Sequence, residues 1–389
     1  MNKPTIGLAL SGGGSRAIAF HLGCLRALHD RGLLGKVSVI SAVSGGSVIA
    51  ALYAYRDEPF EAFEQRVEAL LRRGLVWGIV RQTLFSLETF RILAAILIVG
   101  VVAALGTLLR SIVALLGLFN LAGRQLPVLA ARISSLVPRF ASRSTAFERH
   151  LRRRVLGNQR MDEVARPGLI VVLNAAELRT ETAFRFGSRE SGAWRFGRLI
   201  DTPFVSQAVA ASAAFPVLLP AFDRTLSFEK KGVETRHRVM ITDGGVYDNL
   251  GISCMLPGKS SEFSTNAFPV DFIIACDAGP GTPSGNRKPI FWASRMVATI
   301  FTIHRRTQSL SQDLLHRMTE TGEIRGFLYP YLGQLDERLP HRPQDLVTRD
   351  EIIDYPTNFS PMSKGNLNKL SQRGEQLTRI LIDCYAPHL

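Results

Sequence analysis

Apolar residues at the start of the chain alternate between short continuous runs and helical spacing. Residues 5–10 form an apolar run of strand length, closed by Gly12, Gly13 and Gly14. From Ala17 the period changes, with Ile18, Leu22, Leu25 and Leu28 on one helical face up to Asp30 and Gly32 as a stop. Residues 37–43 are rich in β-branched side chains and predict a second buried strand, and residues 47–55 predict the helix behind it. The order strand, helix, strand, helix predicts an α/β fold with a parallel sheet covered by helices on both faces. Right-handed crossovers would bring both strand ends to one edge of the sheet. Further along, residues 168–174 read as a buried strand and 183–187 as a half-exposed one. Residues 208–214 form a small-residue helix stopped by Pro216, 239–242 a short strand, and 290–318 and 364–385 helices.

The first two strand ends carry candidate chemistry. Ser41-Ala42-Val43-Ser44-Gly45-Gly46 joins a strand to a helix, the layout of a nucleophile elbow that pushes a serine hydroxyl out of the backbone. Ser11-Gly12-Gly13-Gly14-Ser15-Arg16 makes the same kind of junction. Acyl transfer builds negative charge on a carbonyl oxygen, and fixed backbone N–H groups stabilise it by roughly 3 kcal/mol for each donor. Consecutive glycines let a loop turn its N–H groups inward, and the following helix N-terminus adds positive potential. A nucleotide phosphate loop is the competing reading. It lacks support, because no Gly-Lys-Ser/Thr ending follows and Ala17 stands at the last position of a Gly-x-Gly-x-x-Gly pattern.

Together with Thr242-Asp243-Gly244-Gly245 and the segment Ala208-Val209-Ala210-Ala211-Ser212-Ala213-Ala214-Phe215-Pro216, these motifs resemble the patatin-like phospholipases, serine lipid acyl hydrolases with a Ser–Asp dyad. Order and spacing match over roughly residues 4–56 and 165–280. The resemblance implies a patatin-like three-layer α/β/α fold with a mostly parallel central sheet. It implies Ser44 as nucleophile, Asp243 as its base, and Gly12, Gly13 and Gly14 as the oxyanion hole, with Arg16 supporting that loop. Two positions depart from the family pattern: Ala42 replaces the first glycine of Gly-x-Ser-x-Gly, and Ala17 the glycine closing the loop motif.

A serine hydroxyl needs a neighbour to take its proton, most often a histidine. His304, His316, His341 and His388 follow Asp243, as an α/β-hydrolase triad would require, yet none lies in a recognisable active-site turn. Asp243, at the end of a strand-like run and beside a glycine pair, fits better as a direct base if partial burial raises its pKa toward neutrality. Asp248 reads as a turn or cap residue, and Asp277 as a weaker rival at another strand end.

One stretch breaks the α/β rhythm. Residues 92–109 are uncharged and almost wholly apolar, Arg110 follows, and residues 111–123 are apolar again. As helices these runs would measure about 27 Å and about 20 Å, the first long enough for a bilayer core and the second short for it. The expected arrangement is a single catalytic domain over residues 1–389, interrupted at 76–144 by a hydrophobic, arginine-rich helical insertion. A hairpin dipping into one leaflet is favoured over two full spans, with two core helices as the third reading. Residues 76–144 hold seven arginines, one glutamate and no lysine or aspartate. With a net charge of +14 for the chain, an anionic membrane surface is the expected partner. Nucleic acid is not expected, since no zinc-finger, helix-turn-helix or aromatic-plus-basic signature accompanies the charge.

The four cysteines are scattered without metal-ligand spacing and read as reduced core residues, so neither metal nor organic cofactor is expected. The chain opens on a strand without a signal-peptide core, which places the expected chemistry on the cytoplasmic side of a membrane. The reading is a membrane-associated serine hydrolase acting on phospholipid or another acyl lipid through Ser44 and Asp243. An inert lipid-binding or scaffold protein and a soluble esterase with a helical lid are the alternatives.

Overall fold

The computed structural model describes residues 5–118, 137–216, 218–259, 264–282, 285 and 288–389. Five strands form the parallel half of one sheet: β1 (Ile6–Leu10), β2 (Val37–Val43), β3 (Ile170–Glu177), β9 (Phe272–Cys276) and β10 (Gly326–Leu328). They lie in the order β10-β9-β1-β2-β3, each parallel to its neighbours. Successive side chains enter two cores. Leu8, Leu10, Ile40 and Ala42 join the larger cluster, whereas Ala9, Val39 and Ala275 face the smaller one on the opposite side. Burial on both faces explains why these strands are apolar throughout.

On the first face lie α1 (Gly14–Asp30), α2 (Gly45–Ala54), α3 (Phe60–Arg73) and the C-terminal α10 (Lys364–Tyr385). Helices α1 and α10 cross where Gly23 and Gly374 meet. A Cβ at Gly23 would lie 1.7 Å from the carbonyl oxygen of Ser371, and one at Gly374 2.1 Å from that of Phe20. The other face is covered by residues 250–256, which follow the short α8 (Gly245–Asp248), and by Leu315 of α9 (Trp292–Glu320).

The sheet is not mostly parallel, and the three-layer expectation needs correcting there. Beyond β3 the chain runs antiparallel through β4 (Thr182–Gly187), β5 (Ser191–Ala193), β6 (Gly197–Leu199), β7 (Phe222–Lys230) and β8 (Val233–Asp243). The end of β8 pairs back onto β3, with Ala175 opposite Asp243, so this half closes on itself. Connection length is the reason. Only Lys231 and Gly232, both with positive φ, join β7 to β8, and three residues join β4 to β5. Parallel strands need crossovers of a dozen residues or more.

The insertion also differs from its expected shape. After α4 (Val76–Leu84), a single helix α5 runs from Leu87 to Leu118, straight through Arg110 where a turn was expected. Arginine is a good helix former, and the flanking hydroxyls of Thr107 and Ser111 bond back to the carbonyl oxygens of Ala103 and Thr107. The rest of the expected return run, residues 119–123, lies outside the described residues. Residues 87–116 are long and apolar enough to cross a bilayer by length and composition, with mean hydropathy 2.8 over the most apolar window and 17% of that window buried. The helix is fastened at its foot, where buried Glu88 meets Arg149 at 2.6 Å, Arg91 at 3.1 Å and the Thr145 hydroxyl at 2.7 Å. Arg149 and Thr145 belong to α6 (Arg143–Leu151).

Candidate active site

Ser44 stands between β2 and α2 with φ 52° and ψ −117°, a conformation L-residues adopt only when the surroundings enforce it. The enforcement is visible. Its N–H donates to the hydroxyl oxygen of Ser212 (3.0 Å), at the end of α7 (Val205–Ser212). Ser212 in turn donates to the carbonyl oxygen of Asn174 (2.5 Å), so the 2.8 Å contact between Ser47 and Ser212 is donated by Ser47. Gly45 packs directly on the glycine loop, where a Cβ would lie 2.3 Å from the carbonyl oxygen of Gly14. Ala42, in place of the elbow's usual glycine, is fully buried in the larger core.

The segment after α7 holds the carboxylate as well as the serine. The carbonyl oxygen of Ala214 accepts from the N–H of Asp243 (3.2 Å) and from the Thr242 hydroxyl (2.8 Å), and the carbonyl oxygen of Ser212 accepts from the N–H of Gly244 (3.3 Å). Asp243 is buried and accepts from the N–H of Gly245 at 2.7 Å. Burial raises its pKa from 3.8 to about 7, against the opposing pull of the Gly245 N–H and the Ser44 hydroxyl.

The glycine loop faces this pair, with a Cβ position on Gly12 3.3 Å from that of Ser44. The three glycines are not equivalent. The Gly12 N–H donates to the carbonyl oxygen of Asn249 (3.2 Å). The N–H groups of Gly13 and Gly14, both at positive φ, meet no acceptor among the described residues. Arg16 lies against the loop, a guanidinium nitrogen 3.4 Å from a Cβ position on Gly13. It is buried, donates to the carbonyl oxygens of Ala278 and Tyr355 (3.0 Å each), and ties the first turn of α1 to the chain beyond β9. Burial lowers its pKa to about 10, with Asp277 pulling the other way. That is the position of a loop support.

The rival acids are engaged elsewhere. Asp248 accepts from the N–H groups of Gly251 and Ser253 (2.9 Å each) and holds a turn. Asp277 is held by the Tyr329 hydroxyl (2.5 Å), the Gln308 amide (2.9 Å) and the N–H of Gly279 (2.8 Å). Among the four histidines, His304 lies near the site, its Cε1 3.5 Å from a Cβ position on Gly245. Burial lowers its pKa, and its Nε2 meets no hydrogen-bond partner among the described residues. Sequence reasoning missed Asn249, whose side-chain oxygen lies 2.5 Å from a Cβ position on Gly12 and 2.8 Å from one on Gly245. Nothing local in Tyr247-Asp248-Asn249 marks a residue wedged between two loops.

One group among the described residues could hold a metal ion. His21, Cys24 and Cys276 are buried, with ligating atoms within 4.8 Å of one another, and they offer three donors where tetrahedral zinc takes four. The fold joins two cysteines that the sequence separates widely.

A serine on a strained strand-to-helix turn, opposed by a glycine loop and a buried carboxylate, is the layout of a serine hydrolase built on an α/β sheet. Residues 8–255 match the family model described as patatin-like phospholipase, and the chain belongs to that family. It is 37% identical over 73 residues to the lysophospholipase NTE1 of Mycosarcoma maydis, a stretch covering 19% of this chain and 4% of that protein. The chain therefore spans a small part of that relative. Human GIVD cytosolic phospholipase A2 is similar in structure, with a TM-score of 0.52 and 14% identity over 97% of this chain and 58% of that one. That likeness concerns the fold alone.

Proposed function

We propose that the chain is a serine lipid acyl hydrolase in which Ser44 is the nucleophile and Asp243 the general base. The observation that carries this reading is the buried Asp243 carboxylate, raised to about 7 by burial and drawn down by the hydroxyl of Ser44, which stands on a strained elbow. A carboxylate at its ordinary pKa is too weak a base for an alcohol, and one near 7 is matched to neutral solution. Asp243 takes the Ser44 proton as Oγ attacks an ester carbonyl, and the oxyanion forms against the free N–H groups of Gly13 and Gly14. Collapse expels the alcohol, which leaves with the proton held by Asp243, and an acyl-serine remains. Asp243 then takes a proton from water, hydroxide attacks the acyl carbon, and the fatty acid leaves as Ser44 recovers its hydrogen.

Family membership makes phospholipid the first substrate class, and the lysophospholipase relative adds lysophospholipid. We further propose that the enzyme works at a membrane surface, on the cytoplasmic side, held there by α5. Outward side chains such as Leu93, Leu97, Leu105 and Leu115 are all more than half exposed, a surface that water disfavours. The test is hydrolysis of a panel of phospholipids and lysophospholipids by wild type and Ser44→Ala, with fluorophosphonate labelling alongside. An inert scaffold would neither label nor hydrolyse, and a soluble esterase would leave the membrane pellet without detergent.

A further inference from the structure

A cleft of about 520 Å³ opens where α3, α4 and α6 meet, apart from the serine. Leu52 of α2 lines it, so along that helix the cleft lies about 12 Å from Ser44. Five arginines reach it: Arg56, Arg66, Arg73, Arg81 and Arg154. Glu58 neutralises one of them, pairing with Arg66 and lying 4.0 Å from Arg56. Among the described residues, the guanidinium groups of Arg73, Arg81 and Arg154 meet no carboxylate and no hydrogen-bond acceptor.

These three charges act on one point. His150 sits at the cleft with its ring against α4, a contact possible because Gly78 has no side chain; a Cβ there would lie 2.1 Å from the ring. Burial lowers the His150 pKa, and Arg154, Arg81 and Arg73 lower it further. A cleft that holds like charges together without a counter-ion has the electrostatics of an anion site.

The remaining lining includes Leu70, Trp77 and Val155, which are apolar. Trp77 is 71% exposed, and Phe85, Leu87 and Phe90, which continue the chain into α5, are exposed to a similar degree. Aromatic rings beside a basic cluster at the foot of an apolar helix match the depth of lipid headgroups.

We propose that this cleft binds the phosphate of an anionic lipid headgroup, with Arg73, Arg81 and Arg154 around the phosphate and Leu70, Trp77 and Val155 against the adjoining carbons. The anion chemistry stands on the arginines alone; the lipid source rests on the membrane reading above.

The test uses the full chain carrying Ser44→Ala in non-ionic detergent, so that no lipid is consumed. It is titrated calorimetrically with dihexanoylphosphatidylglycerol, dihexanoylphosphatidylcholine and inorganic phosphate. The phosphatidylglycerol is expected to bind at one site, about tenfold or more tighter than either other ligand, and more weakly as salt rises. Adding Arg73→Gln and Arg81→Gln should weaken it about tenfold or more. Adding Arg195→Gln and Arg236→Gln, exposed arginines of the antiparallel half, should not. In a chain with Ser44 intact, Arg73→Gln and Arg81→Gln should leave hydrolysis of a soluble ester unchanged, which reports a folded protein and an intact dyad. Equal binding of the zwitterionic lipid, or equal losses in both arginine pairs, would overturn the proposal. Inorganic phosphate binding as tightly as the lipid would overturn the lipid assignment.

Discussion

Replacing Asp243 by asparagine separates the two consequences of burying a base. The amide is nearly the same size and can still accept from the N–H of Gly245, but it cannot take a proton from Ser44. General-base loss of this kind costs about 100- to 10,000-fold in rate, so turnover of a soluble ester should fall by about a thousandfold. Stability should move the other way, in a manner set by pH. Folding raises the aspartate from 3.8 to about 7, so between those values the folded state holds a proton that the unfolded chain has released. Its contribution to stability is present below pH 4 and is lost as pH rises through 7. At pH 9 the ionised carboxylate costs about 4 kcal/mol relative to its ionisation in water, and asparagine escapes this cost at every pH. For a chain of this length, that corresponds to about 5 °C in Tm. At pH 5 the unfolded aspartate is already ionised and part of this cost has been incurred. Thermal melts of wild type and Asp243→Asn at pH 5 and pH 9 should therefore show the variant gaining about 3 °C relative to wild type between the two conditions, from the remaining ~3 kcal/mol. A difference in Tm that does not change with pH, or a variant within tenfold of wild-type activity, would refute the buried-base argument.

The same carboxylate predicts that kcat/KM for a soluble ester falls about tenfold per pH unit below pH 7 and levels above it, read from a pH profile. Ser44→Ala should abolish both hydrolysis and fluorophosphonate labelling with the fold intact, and labelling at the wild-type rate would move the nucleophile elsewhere. Ser212→Ala leaves the buried Ser44 N–H without its acceptor. It should cost about 1–3 kcal/mol in stability and lower kcat more than it raises KM, measured by melts and by initial rates. His304→Ala should retain activity within about tenfold, whereas activity as low as that of Ser44→Ala would make the histidine the base. Deleting residues 92–123 through a short linker should release the protein from membranes through a detergent-free wash while soluble-ester hydrolysis persists; if the protein unfolds instead, α5 belongs to its core.

The parallel half of the fold could be read along the chain because its signals are local. An apolar run followed by a change of period marks β1 and α1 and then β2 and α2, and the glycines between them permit tight turns. The apolar run that became α5 is equally local in origin. The antiparallel half was harder. Phe222–Lys230 carries charges and shows weak alternation, so β7 emerges as a strand only through its pairing with β8. The turn expected at Arg110 failed because one charge does not end a helix when its neighbours all favour it.

The sequence by itself determined which residues could do the chemistry, since a serine at a strand-to-helix turn, a glycine loop and an aspartate before two glycines are all local patterns. The tertiary structure decided what surrounds them. Ser44 and the hydroxyl that fixes its backbone are 168 residues apart, and nothing near either announces the contact. Gly12 cannot be separated from Gly13 and Gly14 until Asn249 arrives to occupy its N–H. Arg73, Arg81 and Arg154 become one site only when three helices meet. The base strength of Asp243 is of the same kind, because a pKa depends on the water that folding removes and the donors it leaves, and both are sums over residues far away in the chain.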